Sequence, residues 1–127
     1  MTSPIDPNKI LVVDDSLTVR MEIKEIFEAN GYQVLLAENG RQCLELLETE
    51  RPDIILLDVK MPEMDGYEVC RRLKSSAHCQ SVPVIFISAS GETARKVEGF
   101  KAGGVDYIAK PFEPEEVLAR VGAHLRL

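Results

Sequence analysis

The chain lacks tryptophan, an excess of basic residues and any long apolar run. Its net charge of -6 argues against a nucleic-acid-binding surface, which needs a basic patch. No apolar run approaches the roughly 20 residues of a membrane span, and Met1–Asn8 is too polar and proline-rich for a signal peptide. The 3 cysteines lack the CxxC spacing of a redox or zinc motif. We therefore expect a reduced, cytoplasmic protein that binds neither nucleic acid nor membrane directly.

The length and composition indicate one globular domain. The 127 residues can bury roughly two-thirds of their unfolded surface in a single core. The proportions, 45% hydrophobic and 28% charged, are those of an ordinary globular protein. We expect one domain over residues 1–127, with a loose N-terminal segment at residues 1–8.

Five predicted strands alternate with five predicted helices along the chain. Ile10–Val13 and Ile54–Leu57 are continuous apolar runs typical of buried strands, and further strands are predicted at Gln33–Ala37, Val82–Ile87 and Val105–Ile108. The predicted helices begin at a Ser16 cap, cover Arg41–Thr49 after an Asn39-Gly40 turn, begin at an Asp65 cap, cover Glu92–Lys101, and begin near Pro114. Such alternation implies right-handed crossovers and a parallel sheet with helices on both faces. The predicted fold class is α/β.

Polar residues that could bind a ligand or react with it follow the predicted strands. They are Asp14 and Asp15 after the first strand, Asp58 after the third, Ser88 after the fourth and Lys110 after the fifth. These ends share one edge of a parallel sheet, which is where ligands bind in such folds. Each residue alone also fits a plainer role, as a helix cap, a turn residue or a solvated charge.

Taken together, the strand-end residues predict a phosphoryl site. Three carboxylates in one pocket repel one another unless a cation is present, and a set of oxygen ligands suits Mg²⁺. A lysine and a hydroxyl beside such a metal can neutralise and orient a phosphoryl group. One carboxylate can then attack phosphorus, but position alone does not say which aspartate does so.

Four motifs, in this order and spacing, resemble the receiver domain of two-component response regulators, which includes the single-domain chemotaxis regulators. They are residues 10–15 (ILVVDD), 57–66 (LDVKMPEMDG), 87–89 (ISA) and 105–112 (VDYIAKPF). The resemblance extends from about Lys9 to Leu125. It implies a flavodoxin-like, doubly wound, five-stranded parallel sheet of order 2-1-3-4-5 with five helices.

The resemblance assigns the phosphoacceptor and the metal ligands. Asp58 would accept a phosphoryl group from a histidine kinase or a phosphotransfer protein. Asp14, Asp15 and Asp58 would hold Mg²⁺ or Mn²⁺ together with the backbone carbonyl of Lys60. The side chain of Lys60 could also influence how long the phosphate survives.

The resemblance also implies a switch. Ser88 would bind a phosphoryl oxygen, Lys110 would pair with the phosphoryl group, and the Lys110-Pro111 bond would be cis. The ring of Tyr107 would turn inward when Ser88 is drawn to the phosphate; otherwise Tyr107 is a half-exposed residue of an edge strand. The face made by the fourth helix, fifth strand and fifth helix would then change. That face would act on an effector or a fused output domain, and it could also pair in a homodimer.

The expected function is a phosphorylation-activated signalling switch. It would catalyse only its own Mg²⁺-dependent phosphorylation and dephosphorylation, so it is not expected to be a conventional enzyme. An aspartyl phosphatase usually carries Asp-x-Asp after its first strand, whereas Asp14 and Asp15 are adjacent and no insertion could cap a substrate. A flavin carrier needs a hydroxyl- and glycine-rich loop there instead of acids. A stand-alone regulator and a fragment of a larger protein both fit. The residues around 106–107 and 115–118 resemble those of receivers that are often joined to other domains, and this resemblance favours the fragment.

Overall fold

The computed structural model describes residues 8–89 and 96–125, in which strands and helices alternate. The elements are β1 (Lys9–Val13), α1 (Leu17–Glu28), β2 (Gln33–Ala37), α2 (Gly40–Leu46), β3 (Ile54–Asp58), α3 (Gly66–Lys74), β4 (Val84–Ala89), α4 (Lys96–Ala102), β5 (Asp106–Lys110) and α5 (Pro114–Leu125). Of the N-terminal segment expected to be loose, residues 1–8, the structure describes only Asn8. The first four residues of the helix predicted at Glu92–Lys101 also lie outside the described ranges. None of the helices in the described ranges is long and apolar enough to cross a membrane.

The five strands form one parallel sheet in the order β2-β1-β3-β4-β5. The flavodoxin-like order implied by the resemblance is therefore confirmed. The chain passes from β1 outward to β2 and then back across β1 to β3, so the direction of winding reverses between β1 and β3. The carboxyl ends of these two neighbouring strands consequently flank the crevice where ligands bind in this kind of sheet.

The apolar runs fill a core on each side of the sheet, because successive side chains of a strand point to opposite faces. Leu57 and Phe86 belong to the cluster that α2, α3 and the end of α4 cover. Leu56 and Ile87 belong to the cluster that α1 and α5 cover. All five residues of β3 are buried, as expected for a central strand covered on both faces.

Side-chain caps begin three of the helices. Ser16 and Asp65 accept hydrogen bonds from backbone N–H groups in the first turns of α1 and α3, which confirms the two predicted caps. The turn predicted at Asn39-Gly40 is wrong, because Asn39 caps α2 and Gly40 is already its first residue. The helix also ends earlier than predicted, at Leu46 rather than Thr49.

The last two strands extend further than their apolar runs. β4 was expected to end at Ile87 and β5 at Ile108, but parallel pairing continues through Ser88 with Ala109 and Ala89 with Lys110. Both strands also begin one or two residues later than predicted. Ser88 and Lys110 therefore project from strands instead of following them, so hydrogen bonding between strands limits where their backbones can move.

Candidate functional site

Three carboxylates converge at the carboxyl ends of β1 and β3. Asp14 and Asp15 directly follow β1, and Asp58 is the last residue of β3. One carboxylate oxygen from each lies within 4.8 Å of the other two. Asp14 is fully buried and Asp58 is only 4% exposed, whereas Asp15 is exposed. The cluster therefore has two acids inside the protein and one at its surface.

Lys110 brings a positive charge to this cluster from the end of β5. Its Nζ lies 3.1 Å from Asp14 Oδ2 and 3.4 Å from Asp58 Oδ1. Burial alone would lower the pKa of Lys110, but the nearby carboxylates of Asp14 and Asp58 outweigh burial and raise it. Lys110 therefore stays protonated and partly offsets the charge of the two buried acids.

Asp58 is the acid whose ionisation the site changes most clearly. Burial, reinforced by the nearby Asp14 carboxylate, raises the pKa of Asp58 to about 7, although Lys110 acts in the opposite direction. Without a further cation, the ionised and protonated forms of Asp58 are therefore both populated near neutral pH. A divalent ion bound to the cluster would favour the ionised form, which is the nucleophilic one.

The oxygens of Asp14 show how the cluster fits a metal ion. Asp14 Oδ1 accepts a hydrogen bond of 2.9 Å from the backbone N–H of Ser16. Asp14 Oδ2 is buried, and in the described part of the chain no donor meets it with hydrogen-bond geometry, although the Lys110 ammonium lies 3.1 Å away. A buried carboxylate oxygen of this kind, beside two further carboxylates, suits a hard divalent cation such as Mg²⁺.

The loop after β3 holds Asp58 firmly in place from the backbone side. The N–H of Gly66 donates to the carbonyl of Val59 at 2.8 Å, and a Cβ at position 66 would collide with the carbonyl oxygen of Asp58. Glycine is therefore required where the first turn of α3 approaches the end of β3. The start of α3 packs directly against the backbone of Asp58.

An open cleft of about 410 Å³ adjoins the cluster on the side of this loop. Asp15, Lys60 and Asp65 line it together with Val59, Met61 and Pro62. The side chain of Lys60 is exposed there, two residues after Asp58. The cleft therefore connects the exposed member of the cluster, Asp15, with the solvent, and Lys60 lies beside it.

Ser88 and Tyr107 lie on the two strands beyond β3. Ser88 is 6% exposed and follows Ile87, the residue that pairs with Asp58. Tyr107 is only 8% exposed, so the alternative that it is a half-exposed residue of an edge strand is wrong. β5 is an edge strand, but Phe100 of α4 and Phe86 of β4 contact the ring and cover it. The Lys110-Pro111 bond is cis, as the resemblance implied.

Tyr67, the second residue of α3, is a further residue near the site that no sequence motif singles out. Its side chain is fully buried, and its hydroxyl oxygen lies 2.8 Å from that of Tyr107 in a hydrogen bond. Its helical spacing to Cys70 could have indicated burial, since residues three apart share a helix face. No local pattern could have indicated the partner, which lies 40 residues away in sequence.

The comparisons agree with this geometry. The model of the response regulator receiver domain family matches residues 10–122. The chain is 45% identical over 120 residues to the response regulator MprA of Mycolicibacterium vanbaalenii, covering 94% of this chain and 51% of that protein. It is 37% identical to the signal receiver domain of a histidine kinase from Syntrophus aciditrophicus, with a TM-score of 0.87 and coverage of 94% and 90%.

A third similar protein was solved with a metal ion. The receiver domain of the sensor histidine kinase PA1611 from Pseudomonas aeruginosa has a magnesium ion coordinated in its active-site cleft. It is 29% identical to this chain, with a TM-score of 0.88 and coverage of 95% and 99%. The chain belongs to the response regulator receiver domain family, whose members are phosphorylation-based switches of two-component signalling systems. It spans about half the length of the curated relatives it matches.

Proposed function

We propose that this chain is a phosphorylation-activated switch in which Asp58 is the phosphoacceptor. One observation carries the proposal: Asp58 meets Asp14, Asp15 and the Lys110 ammonium, with Nζ 3.4 Å from Asp58 Oδ1, and Asp15 lines an open cleft. Asp14 and Asp58 both lie beside the Lys110 ammonium, and of these two acids only Asp58 is not fully buried. Asp14 Oδ1 is already engaged by the backbone of Ser16, and Asp15 is exposed.

The proposed reaction is an in-line displacement at phosphorus. An Asp58 carboxylate oxygen forms a bond to phosphorus as the bond from phosphorus to the donor breaks, and the donor atom leaves with the bonding electrons. The donor is the phosphohistidine of a kinase or of a phosphotransfer protein. Lys110 neutralises a phosphoryl oxygen and the Ser88 hydroxyl donates to another, which offsets the charge that develops. The chain acts only on its own phosphorylation and dephosphorylation.

The metal proposed for this site is Mg²⁺, with Mn²⁺ as a substitute. Asp14, Asp15, Asp58 and the backbone carbonyl of Lys60 would hold it. When bound, it supplies positive charge to the phosphoryl oxygens. The buried Asp14 Oδ2 and the all-oxygen donor set support this assignment.

The proposed output is a change in the face formed by α4, β5 and α5. Val97, Phe100 and Val105 already expose apolar side chains on or next to α4, at 60%, 52% and 40% exposure. Apolar groups collected on one surface are typical of protein-binding sites. Phe100 also contacts the ring of Tyr107, so a movement of that ring would alter this surface. The surface would bind an effector, act on a fused output domain or pair in a homodimer.

Receiver domains generally work between histidine kinases and output effectors. For this chain we propose the same position, as a single cytoplasmic domain that neither nucleic acid nor membrane contacts directly. Because the curated relatives are about twice as long as the matched region, an output domain in the same polypeptide is one form that the effector could take.

Mass spectrometry of the intact protein after incubation with acetyl phosphate tests the phosphoacceptor. We expect an alkali-labile gain of one phosphoryl group that requires Mg²⁺ and is absent in Asp58→Asn. The matched control is Asp53→Asn, which makes the same exchange at the opposite end of β3 and should be phosphorylated like wild type. Loss of phosphorylation in both variants, or its persistence in Asp58→Asn, would contradict the assignment.

The switch is tested separately with Ser88→Ala. This variant keeps the acids and Lys110, so it should still gain the phosphoryl group when the reaction is run to completion. It should not transmit the change, because the hydroxyl that links the phosphoryl group to β4 is missing. Amide chemical shifts of residues 97–110 should therefore respond to phosphorylation in wild type and respond much less in Ser88→Ala. An equal response would refute the role of Ser88.

A further inference from the structure

The ring of Tyr107 lies inward in this structure. Its side chain is 8% exposed, and its hydroxyl shares a 2.8 Å hydrogen bond with the hydroxyl of fully buried Tyr67. The Tyr107 hydroxyl also forms a hydrogen bond with the backbone of Gly99. Both partners belong to helices that cover β5, so the inward position is held from α3 and from α4.

The surroundings of this hydroxyl pair are shaped to accept the inward ring. Phe86 lies between the two tyrosines, with ring centroids 5.0 Å from Tyr67 and 5.3 Å from Tyr107. A Cβ at Gly99 would collide with the Tyr107 hydroxyl, and one at Gly104 would collide with the Phe86 ring. Two glycines therefore leave the space that the three packed rings and their hydroxyl contact occupy.

Tyr67 is also close to the phosphorylation site through the backbone. It directly follows Gly66, whose N–H donates to the carbonyl of Val59 next to Asp58. Farther along the same helix, the thiol of Cys70 donates to the carbonyl of Ala102 at 3.3 Å, at the end of α4. α3 thus contacts the backbone beside the phosphoacceptor at its start and contacts α4 and β5 along one side.

We propose that Tyr67 is a positioning residue that stabilises the inward position of Tyr107, so that α3 as well as Ser88 sets the position of the aromatic switch. This inference rests on the proposed role of Tyr107 in switching. It adds to that role a contact from α3 that biases the ring toward the inward position and does not depend on the phosphoryl group.

The size of the bias follows from one hydrogen bond. Removing the Tyr67 hydroxyl leaves the buried Tyr107 hydroxyl with one partner fewer, and water can supply the missing bond only if the ring turns outward. The net contribution of such a hydrogen bond corresponds to about a fivefold change in an equilibrium constant. Tyr67→Phe keeps the aromatic ring and its packing on Phe86, so the change isolates the hydroxyl.

The test is NMR on protein with ¹³C-labelled tyrosine rings. The chain has 3 tyrosines, Tyr32, Tyr67 and Tyr107, and Tyr107→Phe assigns the Tyr107 signal by its disappearance. In Tyr67→Phe without phosphate, we expect the outward population of Tyr107, measured by ring chemical shift and relaxation dispersion, to rise about fivefold. Tyr32→Phe is the matched control, because Tyr32 packs on Phe27 in the other core and should leave the Tyr107 signal unchanged.

The outcomes separate this inference from the proposed function. If Tyr107 has the same inward population in Tyr67→Phe as in wild type, or if Tyr32→Phe changes it as much, Tyr67 does not position the ring. These measurements need no phosphoryl group, so they stand even if acetyl phosphate fails to modify Asp58. Conversely, normal phosphorylation of Tyr67→Phe with an unchanged Tyr107 signal would retain the phosphoacceptor and overturn only the role of Tyr67.

Discussion

Replacing Asp58 with asparagine should make the metal-free protein more stable at pH 8. Asparagine keeps nearly the same shape but carries no charge beside Asp14. Burial and Asp14 raise the pKa of Asp58 from its ordinary 3.8 to about 7, so ionising this group in the folded protein is costly. A shift of about 3 pKa units corresponds to about 4 kcal/mol. Because water and salt reach the cleft and screen these charges, we expect a gain of about 2 kcal/mol in the free energy of unfolding.

The pH dependence has a definite sign. Because the folded pKa is above the unfolded one, folded Asp58 holds its proton over a range in which unfolded Asp58 has lost it. The stability associated with this proton is fully present below about pH 3.8 and is lost as the pH rises through about 7. Asp58→Asn has no such proton. Its advantage over wild type should therefore be small near pH 4, grow through pH 7 and level off above it.

Urea unfolding followed by far-ultraviolet circular dichroism measures this difference, since the chain has no tryptophan to report by fluorescence. The experiment is run in EDTA from pH 5 to pH 8 and repeated with excess Mg²⁺. Mg²⁺ should stabilise wild type more than the variant, because the variant has lost one ligand charge. The higher stability of Asp58→Asn relative to wild type should therefore shrink or reverse. Asp53→Asn should stay within about 0.5 kcal/mol of wild type. A variant no more stable than wild type at pH 8 in EDTA, or an advantage that does not change with pH, would refute the electrostatic reasoning.

Three further substitutions test other parts of the structure. Gly66→Ala should destabilise the protein by about 2 kcal/mol in urea unfolding, because its Cβ collides with the carbonyl oxygen of Asp58; wild-type stability would show that α3 can move away at no cost. Phe86→Ala should cost about 3 to 5 kcal/mol in thermal unfolding, since it empties the space between Tyr67 and Tyr107, and a cost below about 1 kcal/mol would contradict that packing. Lys60→Ala should change the rate at which the aspartyl phosphate hydrolyses, followed by mass spectrometry, because Lys60 lines the cleft by which water enters; equal rates would reject this role.

Much of the fold could be predicted from local patterns. The apolar runs identify the central strands β1 and β3 because burial on both faces requires continuous hydrophobicity, and Ser16 and Asp65 identify helix starts because their oxygens satisfy first-turn N–H groups. The ends of β4 and β5 could not be predicted in this way. Ser88 and Lys110 are polar, yet pairing with the neighbouring strand keeps them in the sheet.

The candidate site, like the fold, could be predicted only in part from the sequence. The sequence by itself determined which residues stand at the carboxyl ends of the strands, because chain order and strand spacing are local properties. The acids, the hydroxyl and the lysine of the site could therefore be selected from the sequence. The tertiary structure decided that Asp14 is buried while its neighbour Asp15 is exposed, and that Lys110 contacts Asp14 as closely as Asp58. It also decided that Tyr67 meets Tyr107. Contacts between residues 40 or more positions apart depend on how α3, α4 and the sheet pack together, and no periodicity within one segment carries that information.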